Sequence, residues 1–248
     1  MVDIWFWVAA VTAAVSVGLA KGGLSALGVL AVPVLSLVMN PVTAAGLLLP
    51  VYIVSDVFGV WTYRRNFHPR VLKIVSLSSV LGIGLGWLLA SVVPSAVVTI
   101  IVGVIGVLFA LNFLLRRGLD VPAKPIQTGP GVFWGTITGF TSFVSHAGAP
   151  PFQMWVVPLK LDKLTFAGTA TIAFAIMNAV KMIPYIALGQ VNVGSIQIAA
   201  ILCVPAVLSV WIGIRLVKVL PEAVFWRFVM TTLGLVSLKL IYDGIAAL

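Results

Sequence analysis

Apolar residues fill this chain in long runs, interrupted by short polar or glycine-rich breaks. The first run covers about 4–19 and the second about 24–39, with Lys21-Gly22-Gly23 between them. Further runs follow at about 40–62, 71–93 and 95–115. After a polar stretch come 131–145, a short run ending at Leu159, and runs at about 165–188, 193–214 and 221–242. None alternates with the period of two that a barrel strand needs, so the pattern predicts helices. Most runs are long enough to cross a bilayer, whose roughly 30 Å core takes about 20 helical residues. The first two are shorter, at about 24 Å for sixteen residues each. They are either tilted spans or half-helices forming a hairpin whose tip lies within the membrane.

Composition agrees. The chain has 248 residues, 61% hydrophobic and 8% charged, with a mean hydropathy of +1.20. Soluble domains carry about 25% charged residues, so this is an integral membrane protein. The formal charge of +9 is not a nucleic-acid footprint, because the basic residues sit in short loops between apolar runs. The start of the chain lacks a basic region ahead of its apolar run, so it is read as part of the first span and not as a cleaved signal. Cys203 lies within an apolar run as a small packing residue and excludes a disulfide framework.

The two halves match in order. Gly18 lies 121 residues before Gly139, Pro33 lies 125 before Pro158, and Thr43-Ala44-Ala45-Gly46 lies 122 before Thr165-Phe166-Ala167-Gly168. Asp56 falls opposite Asn178. Val93-Pro94-Ser95 matches Leu220-Pro221-Glu222 at an offset of 127. Five matches in sequence order indicate an internal duplication.

Charge orients it. Arg64, Arg65, Arg70 and Lys73 form the strongest basic loop and mark its side as cytoplasmic. Arg116, Arg117 and Lys124 return to that side two spans later, followed by Lys160 and Lys163, then by Arg215 and Lys218 between the last two spans. These loops hold eleven of the fifteen lysines and arginines. The first half therefore begins outside and ends inside, and the second does the reverse. Inverted repeats of this kind build many secondary transporters, with substrate sites at broken helices.

Four basic residues fall elsewhere. Arg227 and Lys239 are near enough to span ends to snorkel. Lys21 sits at the first break, and Lys181 lies deep in a span, three residues after Asn178 on one helix face. A charge at bilayer depth costs about 2.5–3.5 kcal/mol on insertion scales, so both lysines suit a site for an anion. The structural alternative, a lysine that snorkels or pairs with a carboxylate, stays open for each. Asp56 is the one acid well inside a span, as a proton carrier or as a countercharge. His146 occupies the second break as Lys21 does the first, and imidazole titrates near neutrality. Ser25, Ser145 and the amides of Gly22, Gly23 and Gly148 would add donors. The half-helices that follow each break would point their positive ends at the same place.

Other chemistries are poorly supported. Ser142 and His146 are four apart, but no nucleophile elbow or orienting acid accompanies them. His68 and His146 are the only histidines, so no metal cluster is expected. No P-loop or dinucleotide motif is present, and no cofactor is expected.

These residues resemble the sulfite exporter TauE/SafE family, membrane permeases also described as a domain of unknown function. The resemblance rests on glycine-rich breaks followed by Val32-Pro33 and Val157-Pro158, the small-residue patches at Thr43 and Thr165, the basic loop after Tyr63, and Leu188-Gly189. It covers nearly the whole chain and implies export of sulfite or an organosulfonate, coupled to protons. The breaks depart from the family's glycine runs: Lys21 precedes only two glycines, and the second break reads His146-Ala147-Gly148-Ala149-Pro150-Pro151. Those substitutions would change which anion is held.

The expected protein is an all-α polytopic membrane protein of two inverted-topology repeats, each a broken or re-entrant helix pair plus three transmembrane helices. The first repeat is 1–117, a cytoplasmic linker 118–129, and the second repeat 130–248. It is expected to be a transporter and no enzyme, in the inner or plasma membrane with both termini outside. The expected anion site comprises Lys21, Gly22, Gly23, Ser25, Ser145, His146, Gly148, Asn178 and Lys181, with Asp56 and His146 for protons. Its partners are a small anion and the lipid bilayer, not nucleic acid; a homo-oligomer is left open. An anion channel of the same architecture and a non-transporting membrane subunit remain as alternatives.

Overall fold

The structure, a computed structural model, describes residues 4–89, 95–115 and 122–247. The protein is all-α, with no strand among the described residues. Among the described residues ten α-helices run in order: α1 (Ile4–Lys21), α2 (Ala31–Leu35), α3 (Pro41–Tyr63), α4 (Pro69–Leu88), α5 (Ser95–Leu115), α6 (Thr128–Ser145), α7 (Ala149–Val156), α8 (Lys163–Ala187), α9 (Val193–Val219) and α10 (Glu222–Ala246). Six of the described helices, in α1, α3, α4, α8, α9 and α10, are long and apolar enough to cross a membrane. Their outward faces carry Val57 and Trp61, Leu77 and Leu81, and Leu208 and Ile212, all exposed. Rows of this size suit lipid rather than water. The protein is a polytopic membrane protein.

The halves carry the same elements in the same order: an 18-residue helix, a break, a short helix and three long ones. Packing repeats with them. Helix α1 lies against α9 and α6 lies against α4, while α3 meets α8 and α5 meets α10. The closest approaches correspond as well. A Cβ on Gly18 would lie 2.0 Å from Ala206 O, and one on Gly139 would lie 2.0 Å from Ser79 O. Small residues let these backbones meet without a cavity, and Ala10, Ala13, Ala14 and Val17 continue the close face of α1.

Several boundaries differ from the hydrophobic pattern. The run at 24–39 is no regular helix. It is a 3-10 segment, Ser25–Leu30, one short turn of α2 and a bend. Pro33 removes a backbone donor there, and a proline ring collides with the carbonyl four residues earlier. No half-helix of useful length therefore aims its amides at the first break. Helix α9 runs on to Val219, which places Arg215 and Lys218 on its last turns and not in a loop. Nothing breaks the helix until Leu220, which turns extended ahead of Pro221 as pre-proline residues do. Helix α4 starts at Pro69, with His68 as its cap accepting from Val71 N. Helix α6 starts at Thr128, inside the expected linker. Pro94, Arg116, Arg117 and residues 118–121 of that linker lie outside the described residues. Lys124 N donates to Pro158 O at 2.9 Å, tying residues 122–127 to the end of the α7 segment.

Candidate functional site

The two breaks meet. Lys21 ends α1, and the 3-10 segment folds back along that helix. His146 ends α6, and α7 folds back along it. Between them lies a cavity of about 40 Å³, lined among others by Lys21, Ser25, Tyr52, His146, Asn178 and Lys181. At roughly 10–15 Å³ per water, it holds about three waters or one small ion.

Charges are buried here in quantity. Lys21, Asp56 and Lys181 are 4%, 5% and 1% exposed, so all three need partners inside the protein. Lys21 Nζ lies 2.7 Å from Asp56 Oδ1. Asn178 Nδ2 donates to Asp56 Oδ2 at 2.8 Å. Asp56 stands seven residues before the end of α3, about 10 Å along the helix, so this pair is not a surface contact. The Lys21 ammonium also sits 5.1 Å from the Tyr52 ring centre and 5.9 Å from that of Phe174, within cation–π range.

Lys181 is provided for differently. Its Nζ donates to Ser142 Oγ at 3.1 Å and Ser142 O at 3.3 Å. An ammonium has three donors, and no carboxylate pairs with this one among the described residues. Two buried lysines therefore stand beside one aspartate, which pairs with Lys21 alone. Ser25 Oγ lines the same cavity and has no hydrogen-bond partner among the described residues.

His146 is held in an uncommon backbone state. Its φ is 53° and ψ 18°, at the C-cap of α6, the left-handed region where helices usually place glycine. Strain of this sort clusters at functional sites. The Tyr185 hydroxyl lies 2.6 Å from His146 Nε2 and 3.3 Å from Phe143 O. The Tyr52 ring stacks on the imidazole at 6.0 Å and 18°. Thr141 fixes the bend, accepting at its carbonyl from Ala147 N and donating through its hydroxyl to Ala147 O.

The structure gathers Lys21, Ser25, His146, Asn178 and Lys181 around the cavity, with Asp56 directly behind Lys21. It does not place the glycines in the cavity wall, and for Gly22 and Gly23 this corrects the expectation that their amides face the site. Gly22 N bonds Gly18 O, and Gly23 N bonds Ala20 O. Gly22 lies against Gly213 of α9, and Gly23, at φ 114°, against the Tyr63 hydroxyl. Gly148 packs on Ser142 and Phe174. Each of these glycines permits a close approach. The Ser145 side chain lies outside the described residues. Ser142 bonds Lys181 and His146 meets Tyr185, so the two do not form a nucleophile–base pair.

Three side chains escaped the sequence reading of the site: Tyr52, Ser142 as a partner of Lys181, and Tyr185. Thr171 Oγ1 donates to Lys21 O at 3.4 Å. Tyrosines in apolar runs carry little signal alone. The offset of 122 that sets Asp56 against Asn178 would have found them, since it also sets Tyr52 against Phe174 and Tyr63 against Tyr185. Both members of the last pair act alike: the Tyr63 hydroxyl donates to Gly22 O at 2.7 Å as that of Tyr185 reaches Phe143 O.

Fold and site together define a polytopic helical membrane protein with a buried chamber between two helix breaks, lined by two lysines. The model of the sulfite exporter TauE/SafE family matches residues 10–240, and the chain belongs to that family. Members of that family are membrane transporters of sulfur-containing anions. No curated protein and no solved structure matches the chain.

Proposed function

We propose that the protein is a secondary transporter that exports a small sulfur-containing anion, sulfite or an organosulfonate. The observation that carries this reading is Lys181, a buried ammonium with no carboxylate of its own, facing a cavity of ion size. An anion in that cavity would take the free donor of Lys181 and bonds from Ser25 and Asn178. The family's name supplies the sulfur chemistry. Asp56 and His146 would link transport to protons. Protonation of Asp56 would release Lys21 to the anion, and a proton on His146 would raise the positive charge of the chamber. The equivalent packing of the halves supports alternating access, in which an inverted-topology pair rocks around a fixed site. With the loop of Arg64 and Arg65 inside, both termini lie outside.

A cavity that admits only one small ion favours a carrier over an open channel. Flux of sulfite, taurine and sulfoacetate into proteoliposomes, with and without a proton gradient, tests this. The carrier reading expects flux that follows the gradient and fails in Lys181→Met. Flux indifferent to the gradient would make the protein an anion channel. Absence of both flux and anion-induced thermal stabilisation would leave a non-transporting membrane subunit.

A further inference from the structure

A second, larger cavity lies away from the chamber. Helices α3 and α9 pack together, and their last turns with the bend at 64–66 enclose about 790 Å³. Its wall includes Trp61, Arg64, Arg65, Trp211, Arg215 and Lys218, and no acidic residue. None of these four cations forms a salt bridge among the described residues. The Arg64 guanidinium lies 5.0 Å over the Trp61 ring, which fixes it at the rim.

Two general effects place basic residues at such a level. Cations favour the negative ends of helices, and inner loops collect them for topology. Neither effect calls for four of them to surround one open cavity with two indoles in its wall. Trp61, Trp211 and Ile212 belong both to that wall and to the exposed surface. One turn further along each helix, Val57 and Leu208 continue the exposed apolar rows. The cavity is thus cationic at its end and opens onto a groove of lipid-facing residues. That shape matches an amphiphile with an anionic head. Tryptophans sit by preference at headgroup depth, and basic pockets between membrane helices hold anionic headgroups. Free phosphate would have no use for the apolar wall.

We infer that this pocket binds the phosphate headgroup of an anionic membrane phospholipid, with its acyl chains along α3 and α9. The test is thermal unfolding of the purified protein in neutral detergent, titrated with phosphatidylglycerol, phosphatidylcholine or inorganic phosphate. Phosphatidylglycerol should stabilise saturably and the other two should not. Each juxtamembrane cation contributes about 1 kcal/mol, so Arg215→Gln/Lys218→Gln and Arg64→Gln/Arg65→Gln should each weaken apparent affinity about thirtyfold. Arg70→Gln/Lys73→Gln removes the same charge outside the pocket and should leave affinity unchanged. Equal weakening in this control, no response to phosphatidylglycerol, or the same response to inorganic phosphate would overturn the inference. Should the glutamine variants not fold, native mass spectrometry of the wild type in mixed micelles decides. One saturable phosphatidylglycerol per chain supports the site, and adducts that simply follow the micelle composition overturn it.

Discussion

Asp56 and Asn178 hold corresponding places in the two halves of the chain, and they bond each other, Asn178 Nδ2 to Asp56 Oδ2 at 2.8 Å. A bond between equivalent residues marks where α3 and α8 cross. The carboxylate is on the α3 side only, where it also pairs with Lys21; on the α8 side its place is taken by an amide, and the cation one turn on is Lys181.

That arrangement makes Asp56 the hub of the site. Asp56→Asn strands the Lys21 ammonium in the interior, at a cost of about 3–5 kcal/mol for breaking one side of a buried pair. Adding Lys21→Met removes the stranded charge and should recover most of that loss. Exchanging the two groups, Asp56→Asn with Asn178→Asp, keeps the interhelical bond with its donor reversed. It also sets the carboxylate three residues from Lys181, on the same helix face. The exchanged protein should be more stable to thermal unfolding than Asp56→Asn alone. Equal or lower stability would show that the two places are not interchangeable.

Lys181 should separate stability from binding. An unpaired buried ammonium is a cost to the fold, and replacing buried charge with apolar volume is often neutral or stabilising by 1–4 kcal/mol. Lys181→Met should therefore raise the unfolding temperature of the anion-free protein. The same change removes a charged donor, worth about 1.5–3 kcal/mol, so anion affinity should fall ten- to a hundredfold. Thermal-shift titration with sulfite, sulfate, thiosulfate, taurine and sulfoacetate measures both effects. A variant that still responds to the wild type's anion at the same concentration would clear Lys181 of a binding role.

At His146 the backbone offers its own test. Both His146→Ala and His146→Gly lose the contact with Tyr185 and the stack on Tyr52. Only the alanine variant keeps a side chain at φ 53°, where an L-residue is disfavoured by about 1–2 kcal/mol. The glycine variant should therefore be the more stable by about 1 kcal/mol, although glycine loses more entropy on folding. If alanine proves the more stable, the left-handed cap is not strained.

How far these features could be read in advance follows from what produced them. Lys21 and His146 stood out because charge and imidazole are rare in apolar runs, and Gly22-Gly23 and Pro150-Pro151 marked the breaks beside them. The long helices α3, α4, α8, α9 and α10 followed from hydropathy alone. The 3-10 path at Ser25–Leu30 did not, because Leu, Val and Ala look helical and its departure depends on tertiary packing around Gly28 and Pro33. The glycines misled for a related reason. A glycine serves close approach and ligand binding equally well, and only the position of α9 beside Gly22 decides for approach. Arg215 and Lys218 were legible as cations near the junction of the last two spans, but their helical placement hung on Pro221 as the first true stop. The pocket they help form needs α3 beside α9, a contact between halves that no local pattern encodes.

The close crossings of α1 with α9 and α6 with α4 yield a matched pair of substitutions. A methyl on Gly18 would meet Ala206 O at 2.0 Å, and one on Gly139 would meet Ser79 O at 2.0 Å. Backbone oxygens of packed helices cannot yield as a flexible side chain does, so the helices must separate. Overpacking of this kind costs about 1–3 kcal/mol, and Gly18→Ala and Gly139→Ala should fall together within it. Gly84 of α4 has nothing within 4 Å of an added Cβ. There alanine gains helix propensity and should stabilise by about 0.5–1 kcal/mol. Thermal unfolding of the three variants in one detergent compares them directly. A large difference between Gly18→Ala and Gly139→Ala would mean that the two crossings bear unequal loads. Loss of stability in Gly84→Ala would mean that a neighbouring surface, such as a second copy of the chain, covers that face of α4.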